Sequence, residues 1–330
     1  MFLRAAATAL FSVFSLPALA LCAGESYLDQ LSAEQHQKLS AAVADIPFAQ
    51  GLVWDARKDT QNLRIVGTMH IYDPRLGALF ASISASVASA DLILVEATPD
   101  DQADLQQLMA RDPSQLFLVD GPTLPELLDG QTWELLLQAA ADRSIPSFMI
   151  AKMQPWYASL LLAMPPCAMD DVIAGRLGLD HMIMDAAAEA GVPMQSLEAF
   201  TTLFAIFQEE SLDEQIEFLR MGLMMPDTQQ QVFVAMLDRY FAKDVGTLWE
   251  MSRLTLADLP ELDLETATVL FDETQESILD ERNRNWIPVI TEATKSHNNV
   301  IVAAGAAHLI GENGILNLLQ NDGWTLTRAD

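Results

Sequence analysis

Three residues able to move protons or hold a metal ion each come after a separate short apolar run. His70 follows residues 63–66 with Gly67-Thr68-Met69 between, Glu96 directly follows residues 92–95, and His308 follows residues 300–304 with Gly305-Ala306-Ala307 between. Such runs suit buried strands. In an α/β sheet, ligands settle in the crevice beyond the carboxyl ends of the strands, where loops converge over a rigid floor. The repeated Gly-x-x-His has its own physical reason: Gly67 and Gly305 permit a sharp turn off a strand and a close approach of the chain. Two imidazoles and a carboxylate facing one cleft support two chemistries. His70, Glu96 and His308 are a candidate ligand set for a divalent metal with a position open for water, or they share a proton without any metal. The spacing is not the helical H-E-x-x-H of zinc peptidases. A purely structural alternative makes the histidines satisfied strand-end residues and Glu96 a helix-capping carboxylate.

A second constellation is Asp280-Glu-Arg282-Asn283-Arg-Asn-Trp286. On a helix, Leu279, Asn283, Trp286 and Ile290 fall on one stripe with Arg282 beside it. A cation on the apolar side needs an anion. Arg282 therefore holds Glu96, stabilises an oxyanion in the cleft, or pairs with an internal acid to order the core. Lys152 and Trp156, within Lys152-Met-Gln-Pro-Trp156, are candidates for positioning substrate, although an aromatic behind a helix-starting proline is commonly core. Glu198 follows the apolar run ending at Leu197 as Glu96 follows its own, and reads as an auxiliary carboxylate. Asp180 reads as a helix cap, and His36, His181 and His297 as solvated. No G-x-S-x-G elbow, phosphate-cradling loop or Cys-x-x-Cys pair occurs, which leaves serine-hydrolase and nucleotide-dependent chemistry unsupported.

The elements that must carry these residues alternate between strand and helix. Residues 26–46 read as helical, 51–56 as a strand, 58–62 as a hairpin turn, and 63–66 as the returning strand, stopped at Gly67. A helix over 76–89 leads to the strand 92–95. Helical patterns fill most of 101–142, and 147–150 reads as one more strand. Pro155 opens a helix through Met164. Another helix runs from Asp180 to Ala190 with Gly191 as its stop, and 192–197 is the strand beyond. Residues 201–295 are almost wholly helical, broken near Pro226, Lys243-Asp244 and Pro260. A strand at 300–304, a helix at 311–320 and an edge strand at 324–328 close the chain. The expected fold is α/β, a central mixed β-sheet flanked by helices in a single domain over 21–330, with a large helical insertion or cap at about 201–295.

With 330 residues, 51% of them hydrophobic, the chain can bury a large core. Its formal charge of −28 repels phosphate backbones and anionic lipid heads, which argues against nucleic-acid and lipid-surface roles. Residues 1–20 combine Arg4, an apolar run and Ala18-Leu19-Ala20, the pattern of a secretory signal peptide cleaved near Ala20. The expected location is periplasmic or secreted, with no membrane span in the mature chain. Cys22 raises a lipoprotein alternative, but Leu21 stands where a small residue is expected. Cys22 and Cys167 would share an oxidising compartment, and whether they pair is left open by the sequence.

Beyond single positions, an ordered set of short motifs runs along the chain: Gly67-Thr-Met-His70, Leu94-Val-Glu96, Lys152-Met-Gln-Pro-Trp156, Gly178-Leu-Asp180, Ser196-Leu-Glu198, Glu281-Arg-Asn283, Gly305-Ala-Ala-His308-Leu-Ile-Gly311, Gly314 and Gly323-Trp-Thr. As a set it resembles the TraB/GumN family, which is similar in turn to the Tiki proteases and more distantly to erythromycin-esterase-like and ChaN-like proteins. The resemblance implies an α/β fold, an exported location and a site at His70, Glu96 and His308, with Arg282 and Asn283 nearby. It does not imply a substrate. The leading expectation is a metal-dependent, peptidase-like hydrolase acting on a peptide or other small envelope substrate, with His70, Glu96 and His308 around a divalent ion. The alternatives are a metal-free esterase-like hydrolase, and a binding protein that serves peptide or polysaccharide machinery without turnover.

Overall fold

A computed structural model describes residues 22–223, 226–259 and 262–330. The expected signal peptide and the break at Pro260 lie outside the described residues. Six strands form one mixed sheet: β1 Val53–Lys58, β2 Gln61–Thr68, β3 Leu92–Val95, β4 Met194–Ser196, β5 Asn299–Gly305 and β6 Thr325–Arg328. Their spatial order is β4-β3-β5-β2-β1-β6. The four strands β4, β3, β5 and β2 are parallel, and β1 runs antiparallel to both β2 and β6. Composition explains that division, because parallel strands are covered on both faces and so read as unbroken apolar runs. Leu92 to Val95 and Val300 to Ala304 are buried throughout. The edge strand β6, Thr-Leu-Thr-Arg, is largely exposed.

The hairpin between β1 and β2 is tighter than the sequence suggests. Lys58 pairs with Gln61, so Asp59 and Thr60 alone make the turn, with Asp59 in the left-handed region at φ 53°. Nor does β2 stop at Gly67: Gly67 and Thr68 pair with Ala304 and Gly305. Here glycine serves proximity. A Cβ on Gly67 would meet Leu309 at 3.1 Å and Ala306 at 3.2 Å, the turn that carries His308.

The sheet is flanked by helices whose apolar stripes enter its core, among them Ile83 and Val87 of Leu76–Ala88, Ile183 and Ala187 of Leu179–Ala190, and Trp286 and Ile290 of Glu281–Ser296. A second core joins Leu124, Leu136, Ile150 and Leu162 to Leu219 and Leu223. The helical half is thus assembled from two stretches of chain rather than from 201–295 alone, and Glu281–Ser296 belongs to the sheet's own core.

Two expected strands are different. Residues 147–150 form a helical turn, Ser147–Ile150, because Pro146 begins it and its carbonyl accepts from Met149 and Ile150 N–H; four apolar residues carry no period that separates strand from helix. The strand expected over 192–197 shortens to Met194–Ser196, since Pro193 has no N–H for a ladder and only its carbonyl pairs, with Ile93 N–H. Gly191, at φ 70°, ends its helix as expected. No helix among the described residues is long and apolar enough to cross a membrane.

Cys22 and Cys167 are disulfide-bonded, with Cα atoms 5.4 Å apart across a separation of 145 residues. A cross-link over so long a loop chiefly restricts the unfolded chain. Replacing Cys167 with Ser is expected to lower unfolding free energy by about 2–5 kcal/mol in a denaturant titration under oxidising conditions, and reductant should have no further effect on the variant.

Candidate functional site

The parallel strands deliver three side chains to one place. Glu96 leaves the end of β3, His70 lies two residues past β2, and His308 sits in the short 3-10 turn Ala306–Leu309 directly after β5. Gly305 shows their convergence. A Cβ built on it would lie 3.4 Å from Glu96 Oε1, 3.6 Å from His308 Cδ2 and 3.9 Å from His70 Nε2. Its backbone is extended, at φ −50° and ψ 137°, so glycine is not required there by conformation. What it provides is open space between three polar groups.

Arg282 organises the far wall of that space. The helix Leu264–Gln275 continues through a π-helical turn, Glu276–Asp280, into Glu281–Ser296. In that turn Glu281 N–H bonds to the Glu276 carbonyl, five residues back, a local widening often found at functional sites. The turn sets the phase of the following helix, on which Arg282, Asn283 and Trp286 are buried together. Every N–H of the Arg282 guanidinium has a partner. Nη2 donates to Glu96 Oε2 at 2.8 Å and Glu198 Oε1 at 2.6 Å, and Nε donates to Glu198 Oε1 at 3.0 Å. Nη1 donates to the Ile278 carbonyl at 2.9 Å and lies 3.2 Å from His308 Nε2. Burial works against this cation, but Glu198 and Glu96 outweigh it and raise its pKa. Trp286 completes the clamp, donating from Nε1 to Glu198 Oε2 at 3.0 Å.

These partners assign the tautomer of His308. Asn283 Nδ2 donates to the Asn313 carbonyl, which turns Asn283 Oδ1 toward His308 Nδ1 at 2.7 Å. Nδ1 therefore carries the hydrogen, and the Nε2 lone pair accepts from Arg282. Burial, aided by the Arg282 charge and opposed by Glu96, lowers the His308 pKa to about 3. Burial alone would raise the Glu96 carboxyl, but surrounding charge and the 2.7 Å hydrogen bond from Gly305 N–H hold it down at about 2. His308 is neutral over most of that range, so the charges that matter belong to Arg282 and His70.

His70 is the open side of the cluster. Its Nδ1 lies 3.2 Å from Asp180 Oδ2 and its Nε2 lies 4.0 Å from Glu96 Oε1, with 61% of the side chain exposed. Desolvation of the ring works against its charged form, but the Asp180 contact and the Glu96 and Asp180 charges prevail, raising the pKa to about 9. Asp180 also lies 2.9 Å from His181 Nδ1. Burial would raise the Asp180 carboxyl, and its close contacts with the His181 and His70 imidazoles instead take it far below the usual range. The cap of Leu179–Ala190 is not Asp180 but Gly178. Gly178 N–H and Leu179 N–H donate to the His70 and Met69 carbonyls, both at 2.9 Å, and any Cβ on Gly178 would overlap those carbonyls. Glycine is thus what brings Asp180 beside His70. Asp180 is the member that its reading as a cap concealed; the signal present was a glycine placed immediately before a helix whose first turn holds Asp180-His181.

Of the other sequence candidates, Asn283, Gly305 and Glu198 touch the cluster and Gly67 backs it. Lys152 and Trp156 do not join it. Lys152 is exposed, and Trp156 is buried against Tyr157, Phe204 and Phe207 in the helical half, with no hydrogen bond or ion pair from either to the cluster among the described residues.

The donor set also bears on the expected divalent ion. Tetrahedral ligands on bonds of about 2.1 Å stand about 3.4 Å apart. His70 Nε2 and Glu96 Oε1 are 4.0 Å apart, and the His308 Nε2 lone pair faces a guanidinium at 3.2 Å. Among the described residues no group of three His, Cys, Asp or Glu side chains is spaced to hold an ion. As arranged, the three side chains do not make a tetrahedral metal site.

The shifted groups set an acid limit on stability. The folded pKa of His308 lies below its ordinary value of 6.5, so the unfolded chain binds that proton first and stability falls as pH drops from 6.5 toward 3. The contribution of Glu96 is present above its ordinary 4.5 and is lost as pH falls toward 2. The melting temperature, followed by circular dichroism, is expected to decline in two stages on acidification, and His308→Asn should remove the first.

Comparison with known proteins yields one finding. No curated protein and no solved structure matches the chain. The model of the TraB/PrgY/gumN family matches residues 52–328, a span that takes in every strand of the sheet and every residue of the cluster. The chain belongs to the TraB/PrgY/gumN family.

Proposed function

We propose that this protein is an exported hydrolase of a peptide or related acyl bond, in which His70 activates water without a metal ion. The observation that carries the reading is the state of His70 Nε2. Among the described residues it is the imidazole nitrogen of the cluster without a hydrogen-bond partner, on a side chain 61% exposed, while its Nδ1 lies 3.2 Å from Asp180 Oδ2 and both His308 nitrogens are engaged. A base oriented by a carboxylate and open on its other nitrogen is the geometry that general-base catalysis needs. The 4.0 Å between His70 Nε2 and Glu96 Oε1 is too long for a direct hydrogen bond and suits a bridging water. In the proposed step the water oxygen bonds to the acyl carbon as His70 Nε2 takes its proton. His70 then returns that proton to the leaving group as the acyl bond breaks.

Arg282 serves as a positioning residue and not as an oxyanion stabiliser. With all five N–H groups spent internally, it positions Glu96 and His308. Glu198 in turn positions Arg282. The preference for a peptide over an ester comes from the resemblance to Tiki proteases and not from the geometry. Export draws support from the disulfide, which persists in oxidising compartments.

Turnover of a mixed peptide and ester library provides the test. His70→Gln is expected to lower kcat/KM by about 10²–10⁴-fold with the fold intact. Because only neutral His70 is a base, kcat/KM should rise with pH toward a plateau above about 9. Asp180→Asn should move that rise to lower pH. Gly305→Ala should abolish turnover without loss of stability, since its methyl fits at 3.4–3.9 Å but takes the place of the water. Activity should survive exhaustive chelation. Stoichiometric metal by elemental analysis, lost in His70→Gln along with activity, would overturn this in favour of the metal-dependent form; a library with no product under any condition would favour the binding protein.

A further inference from the structure

The helical half carries a surface that the cleft does not use. Helices Leu212–Leu223 and Leu264–Gln275 flank an open groove of about 380 Å³. Thr266, Val269, Leu270 and Glu273 line it at the i, i+3, i+4, i+7 spacing of one helical stripe, and Glu217 and Met221 face them at i, i+4. Met221 is shared with a neighbouring apolar groove of about 320 Å³ that Phe218 also lines. Phe218 is 50% exposed and Val269 51% exposed. Large apolar side chains left open along a groove between two helices mark a docking surface more often than does a scattered exposed residue.

The rim states what kind of partner would fit. Glu217 and Glu273 border the apolar floor, and Glu210 lies within range of the Glu273, Glu214 and Glu209 charges. Burial together with the charges of Glu214, Glu273 and Glu209 pushes the Glu210 carboxyl up, the mark of negative charge without compensation. Among the described residues Glu217 pairs with Arg220, whereas Glu209, Glu210, Glu214 and Glu273 form no ion pair. A second copy of this chain, at −28, would be repelled, as would an anionic lipid surface.

We propose that this groove and its neighbour, which meet at Met221, dock a cationic amphipathic helix of a partner protein or peptide, its apolar stripe on Val269, Met221 and Phe218 and its Lys or Arg residues against Glu273. The mode is helix-in-groove recognition, with apolar anchors supplying affinity and the acidic rim supplying orientation. It is independent of the catalytic proposal.

The test uses the full mature protein and a labelled model peptide composed only of leucine and lysine in a helical pattern, titrated by fluorescence anisotropy. Saturable binding that weakens with salt is expected, and no binding of the matching leucine and glutamate peptide. Attraction to an acidic surface in general would give the same two results, so the deciding variants are Phe218→Asp and Val269→Asp. Each adds a negative charge, which tightens non-specific binding, yet docking in the groove requires each to weaken it by about tenfold. Both positions are half exposed, and an unchanged melting curve verifies the fold. Equal or tighter binding by the variants, or no binding by the parent, would overturn the proposal. So would a dimer in sedimentation that Val269→Asp dissociates, because a second copy would then be the occupant.

Discussion

A buried guanidinium is the constraint on which the site depends. Arg282 is 6% exposed at its side chain, and a cation so placed is stable only when its charge is matched and its donors are satisfied. Two carboxylates and a carbonyl accept from it, and a neutral imidazole takes the remaining N–H. Each partner is fixed in return. Glu96 stays ionised between Arg282 and Gly305 N–H, His308 is locked in one tautomer, and the π turn stays closed through Ile278. Removing one member would leave the others buried without compensation, so the cluster stands or falls together.

That rigidity on one side makes sense of the freedom on the other. The wall formed by Arg282, Glu198, Trp286 and Asn283 has no hydrogen-bonding capacity left for a ligand to claim from the guanidinium. His70 stands apart from it on an exposed side chain, one nitrogen 3.2 Å from Asp180 and the other 4.0 Å from Glu96. Preorganised groups on rigid elements, with a mobile proton at one exposed site, suit acid–base chemistry in which the surroundings need not rearrange.

Glycines do the spatial work, each in its own way. Gly67 lets the His308 turn close onto β2, Gly178 lets the start of a helix lie against the backbone of His70, and Gly305 keeps the centre of the cluster clear. None of the three has a left-handed φ. The shared requirement is the absence of a side chain, which is a statement about neighbours distant in the chain.

The amino-acid sequence by itself determined the α/β class, all six strands to within about two residues at either end, and the strand-end positions of His70, Glu96 and His308. Those features are local: apolar runs of strand length and polar residues just beyond them need no knowledge of what packs alongside. Arg282, Asn283 and Trp286 were legible as one helical face for the same reason. Tertiary structure decided the rest. Residues 147–150 became helical because four apolar residues have no period, and Trp156 went into the helical core because an indole is equally at home in a core or a cleft. Asp180 was hidden because a first-turn acid reads as a cap until the strand beside it is known. The pairing of Cys22 with Cys167, and the turning of His308 onto Arg282, depend on contacts between residues far apart in the chain, and no local pattern encodes such distances.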